Sequence, residues 1–206
     1  MLDQFEELLR SVPYSEQFPG VTNLVVRAVE PSEPPLLEAD LHANPLSAEE
    51  WTAIAREYLH ADCAFEGQAY WDLWVYDSAQ NGWQRGPQKL EIFCHGEEYD
   101  GGVWAEAGHL HADLGFEHLF TGHARMLGPN PSPSPAPQDG FEASFQALMA
   151  EPANLREYHG KTRENIQKLM DWLRKIEKAI PIENYRLWSE GEENFEARLD
   201  EILAVR

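Results

Sequence analysis

Apolar side chains recur at helical spacing as soon as the chain begins. Leu2, Phe5, Leu8, Leu9 and Val12 predict a short opening helix, which Pro13 and the turn Phe18-Pro19-Gly20 close. Val21 to Glu30 and Leu36 to Leu41 read as two strands joined through Pro31, Pro34 and Pro35. Ser47-Ala48-Glu49-Glu50 then has the form of a capping box, in which the serine hydroxyl and the glutamate each satisfy an amide left open at a helix start. Behind it Trp51, Ile54, Ala55, Tyr58 and Leu59 step by threes and fours and form one apolar face.

Past His60 the period changes from helix to strand. Cys63 to Asp77 is aromatic and β-branched, Asn81-Gly82 is a hairpin signal, and Trp83 to Cys94 returns as a second strand in which Pro87 marks an edge or bulge. Asp100-Gly101 predicts another reversal, and His109 to Phe120 alternates like a strand. The expected fold is α+β: an antiparallel β-sheet meander packed with the capped helix, followed by a helical C-terminal segment.

Residues 129–137 place proline at every second position, which favours a polyproline II spacer. The expected organisation is therefore an acidic sheet domain over 1–127, a Pro-rich linker over 128–138, and a helical segment over 139–206 packed on the sheet domain. In that last part Phe141 to Met149 forms one helical stretch and Thr162 to Ala179 a longer one, with Ile166, Leu169, Leu173, Ile176 and Ile180 on its stripe. A final helix starts near Glu192. The long stripe covers about two heptads, too few for a coiled coil, so the chain is expected to be a monomer or a homodimer joined through these helices.

Charge sharpens the picture. The 206 residues carry 36 acidic and 16 basic side chains, a net of -20, and the first 138 hold 22 of the acids against six bases. Such a field repels nucleic acid and anionic membrane surfaces and attracts cationic ones. Neither a signal peptide nor a membrane span is expected, and the two cysteines, Cys63 and Cys94, are too few for a disulfide framework, so a cytoplasmic location is expected. A single bridge between those cysteines is left open.

Two constellations could carry function. On a strand, a period of two puts His109, His111, Asp113 and Glu117 on one face, and imidazoles with a carboxylate suit a divalent zinc, iron or manganese ion, with His95 and Glu98 as further donors. The other is a contact surface: the acidic loop Glu97, Glu98 and Asp100 together with the aromatics Trp74 and Tyr76. His118 is expected on the apolar side of its strand, and His42, His60, His123 and His159 in exposed positions. No nucleophile motif, phosphate loop or dinucleotide fingerprint is present. The first expectation for function is a non-catalytic interaction module that binds a basic partner, as inhibitor and immunity proteins do. The alternative is a metal-dependent, hydrolase-like enzyme built on the His-x-His-x-Asp strand.

Overall fold

The computed structural model describes residues 1–123, 126–128 and 140–205. The elements run α1 (Leu2–Ser11), β1 (Asn23–Ala28), β2 (Leu37–Asp40), α2 (Ala48–Arg56), β3 (Cys63–Asp77), β4 (Gly82–His95), a single 3-10 turn at Tyr99–Gly101, α3 (Trp104–Ala107) and β5 (Leu110–Asp113). They continue with α4 (His118–Thr121), α5 (Gly140–Met149), α6 (Pro152–Ala179) and α7 (Phe195–Ala204). The fold is α+β, with one antiparallel sheet in the order β2-β1-β3-β4-β5. Strands β3, β4 and β5 follow one another as the expected meander, and β1 and β2 extend the sheet on the other side of β3.

The chain divides into two compact units that are not contiguous in sequence. The first contains Met1–Asp72, Gly86–Gly115 and Trp172–Pro181; the second contains Leu73–Arg85, Phe116–Asp171 and Ile182–Arg206. The Pro-rich spacer expected over 128–138 lies outside the described residues except for Gly128.

In the first unit the capping box forms as the sequence implies. Ser47 Oγ accepts from the Glu50 amide at 3.2 Å, and Glu50 Oε2 accepts from the Ser47 amide at 3.0 Å. Helices α1 and α2 pack together. Phe5 meets the fully buried Trp51 edge to face at 5.2 Å, and the Trp51 indole donates to the Asn23 carbonyl at 2.9 Å, tying α2 to β1. Trp172, from the last turns of α6, meets Trp71 at 5.7 Å and donates to Ser11 Oγ at 2.9 Å.

The second unit is built on the tip of the β3–β4 hairpin, where Asn81 takes the left-handed conformation (φ 51°) that the Asn-Gly turn requires. Asn165 of α6 binds the strand as another strand would. Its side chain accepts from the Trp74 amide at 2.8 Å and donates to the Trp74 carbonyl and the Leu119 carbonyl, each at 3.0 Å. Helix α7 packs on α4, and its buried Arg198 donates to the Leu127 carbonyl at 2.7 Å and the Thr121 carbonyl at 3.3 Å.

The strand expected over His109–Phe120 is shorter. It ends at Asp113, whose carboxylate accepts from the Gly115 amide at 2.9 Å, and Gly115 turns into the left-handed region (φ 80°). Glu117 and His118 therefore belong to a helical turn and do not share a strand face with His109 and His111. The side chains of Cys63 and Cys94 are both buried as free thiols, so no bridge links them. Burial pushes the Cys94 thiol up to about 12.

Candidate interaction surface

Three loops meet at one end of the sheet in the first unit. Backbone hydrogen bonds lace them together: the Val29 amide donates to the Asp62 carbonyl at 2.9 Å, the Asp100 amide to the Val29 carbonyl at 2.7 Å, and the Glu98 amide to the Ala61 carbonyl at 2.8 Å. Tyr99 is the buried peg of the last loop, and its neighbours Glu97, Glu98 and Asp100 are turned outward. Gly96 makes the approach possible, since a Cβ there would lie 2.4 Å from the Ala61 carbonyl oxygen. Glu30, Glu33, Asp62, Glu97, Glu98 and Asp100 are thereby gathered on adjoining loops.

The cations of α1, α2, β1 and β4 pair with other carboxylates. Arg10 is held by Glu6, Glu7 and Glu49, and Arg56 by Asp3 and Glu6, all on α1 and α2. Arg27 pairs with Glu66 and Lys89 with Glu91, each at 2.8 Å. None of the ion pairs among the described residues involves Glu97, Glu98 or Asp100. By sequence the first unit holds 21 acids and seven bases, the second 15 and nine. The anionic excess is thus larger in the first unit.

At the centre of these loops stands Val29, 56% exposed, with φ at 70°. A β-branched residue is strained there, and the Glu30 amide donating to the Ala28 carbonyl at 2.9 Å closes a tight turn around it. Asp100 at φ 48° is followed by Gly101 and Gly102, also left-handed, which completes the reversal expected from Asp100-Gly101.

The histidines of the metal expectation lie along β4 and β5. Phe93 is paired with His111 and Glu91 with Asp113, while the His95 amide donates to the His109 carbonyl at 2.8 Å. Each ring lies against aromatics: His95 stacks on Tyr99 at 5.8 Å and on Phe93 at 6.4 Å, His109 on Trp104 at 4.5 Å, and His111 leans on Phe93 at 5.8 Å. His109 Nδ1 is engaged by the His95 carbonyl at 2.9 Å. Burial holds the His95 imidazole below its ordinary range. Among the described residues no three His, Cys, Asp or Glu side chains are placed to hold a metal ion.

Trp74 and Tyr76 are half-buried within the second unit. The Trp74 indole donates to Glu164 at 2.6 Å, Lys161 Nζ sits 3.6 Å from its ring centroid and the Arg85 guanidinium 5.0 Å away. That indole hydrogen bond also draws the Glu164 carboxyl below its usual range. Tyr76 packs against Trp83 and Phe145, both at 5.4 Å. Both aromatics are thus used by the chain's own fold.

Two groupings were not visible in the sequence. On the open face of the sheet in the first unit, His42 Nδ1 meets Asp40 at 2.6 Å, its Nε2 meets the Tyr70 hydroxyl at 3.2 Å, and Gln68 donates to the same hydroxyl at 2.6 Å. With Nδ1 protonated toward the carboxylate, Nε2 is the acceptor for the phenol. The Asp-x-His spacing was the local clue; the partner on β3 depends on sheet register. In the second unit His118 stacks on His123 at 4.1 Å, the His123 amide donates to the Tyr158 hydroxyl at 2.6 Å, and burial, with His123 adjoining, lowers His118 to about 4.

Comparison with family models, curated proteins and solved structures finds no match for this chain. No helix among the described residues is long and apolar enough to cross a membrane.

Proposed function

We propose that this protein is a non-catalytic interaction module that binds a basic protein partner, in the manner of an inhibitor or immunity protein, through the acidic loops around Val29, Asp62 and Glu97–Asp100. The observation that carries the reading is the uneven placement of charge. Arg10 and Arg56 are consumed by carboxylates on α1 and α2, while Glu97, Glu98 and Asp100 stand outward without a cation. Such a concentrated field accelerates encounter with a cationic surface and selects against anionic ones. The loops are also fixed to one another through their backbones, so little ordering entropy is spent on binding.

The test is a lysine-rich synthetic peptide titrated against wild-type protein and the triple charge reversal Glu97→Lys, Glu98→Lys, Asp100→Lys. The reversal is expected to weaken binding at least tenfold. Reversing three exposed acids elsewhere, Glu16, Glu57 and Glu157, is expected to cost far less. Equal losses in the two triple variants would mean that net charge alone is being read and would overturn the assignment of the site.

A further inference from the structure

Among the described residues the second unit leaves three large aromatic side chains exposed, of which Tyr185, at 46%, is the least so. Phe116 is 67% exposed and Trp188 53% exposed. Their chain neighbours are clamped to each other. The Glu117 carboxylate accepts from Ser189 Oγ at 2.5 Å and from the Gly191 amide at 3.2 Å, and Ser189 Oγ in turn accepts from the Glu192 amide at 3.0 Å. The fit is tight, because a Cβ at Gly191 would lie 2.8 Å from a Glu117 oxygen. An irregular segment carrying an exposed indole is therefore pinned beside the turn that carries Phe116, although burying either ring would have been favourable.

The surroundings of these rings are acidic. Glu183, Glu190, Glu193 and Glu196 are exposed on the same segment, against one exposed base, Arg186. Arg198 does not offset them, since its guanidinium is buried against backbone carbonyls. Exposed aromatics inside a charged rim have the composition of a contact surface, in which tryptophan supplies anchoring area and the rim supplies selectivity.

We infer that Phe116 and Trp188 form a docking surface for a cationic amphipathic segment of another protein, its apolar face on the two rings and its lysines or arginines on the glutamates. Apolar contact alone would admit any hydrophobic peptide; the carboxylate rim is what commits the surface to a basic one. The inference rests on reading the chain as a partner-binding protein, and it adds that the partner presents apolar side chains as well as charge.

The experiment compares two synthetic 18-residue peptides of equal charge, one alternating lysine with leucine at helical spacing and one with serine in place of leucine. Calorimetric titration is run on wild-type protein and on Phe116→Ser with Trp188→Ser, both positions being exposed enough to leave the fold intact, which a thermal melt checks. The lysine–leucine peptide is expected to bind wild type at least tenfold more tightly than the lysine–serine peptide, and the double variant to lose that difference. Wild type binding both peptides equally, or the double variant retaining the preference, overturns the inference. The proposed function fails separately, when the lysine–serine peptide ignores reversal of Glu97, Glu98 and Asp100.

Discussion

Acid should loosen this protein through one histidine. His118 sits in the second unit, stacked on His123 and next to Phe116 at 5.6 Å, and burial lowers it from the usual 6.5 to about 4. The unfolded chain takes up a proton near pH 6.5, while the folded chain refuses it until about pH 4. The stability contributed by the neutral ring is thus complete above pH 6.5 and is lost as pH falls through that window. At about 1.4 kcal/mol per tenfold difference in proton affinity, the loss is about 2 kcal/mol at pH 5 and about 3 kcal/mol at pH 4. Tyr158, which takes the His123 amide on its hydroxyl, is raised to about 12 and stays neutral throughout. Urea unfolding of wild type and His118→Phe, followed by tryptophan fluorescence from pH 7.5 to 4, isolates the effect, because the carboxylates, His95 and His159 titrate alike in both. The two stability curves should converge or cross as the solution is acidified, with wild type losing about 3 kcal/mol more. Parallel curves would show that His118 protonates freely in the folded state.

Three further outcomes follow from single positions. Gly96→Ala should destabilise by about 2 kcal/mol or more in urea unfolding, since the new methyl would stand 2.4 Å from the Ala61 carbonyl oxygen and 2.7 Å from that of Cys63, backbone atoms that cannot turn aside. Val29→Gly should raise the melting temperature, by relief of about 1 kcal/mol of left-handed strain less glycine's own entropy cost; an unchanged or lower value would refute the strain. Asn165→Leu should cost about 3 kcal/mol in unfolding free energy, because the Trp74 amide and the carbonyls of Trp74 and Leu119 would lose their partner.

Local signals were readable where the cause lies within a few residues. Ser47 and Glu50 announce their helix because the cap is a four-residue device, and Asn81-Gly82 announces its hairpin because both residues tolerate positive φ. Asp113 and Gly115 show the limit: the alternation of apolar and polar side chains continues to Glu117, but an Asp side chain and a glycine turn the backbone before the pattern stops. The role of Trp74 could not be read at all, since Glu164 and Asn165 arrive from about 90 positions away and leave no periodicity behind. Charge was legible as a total, not as a placement. Only the pairing of Arg10 and Arg56 with α1 and α2 carboxylates reveals which acids are left to face solvent.

The interleaving of the two compact units has a consequence for biosynthesis. Trp172 and its neighbours complete the unit that begins at Met1, while the hairpin tip at 73–85 waits for Asn165. Synthesis must therefore pass α6 before the first unit has all its pieces, and a cut at the prolines would take pieces from both units. Until α6 emerges, the nascent N-terminal sheet depends on its own negative charge to keep it from associating with its neighbours.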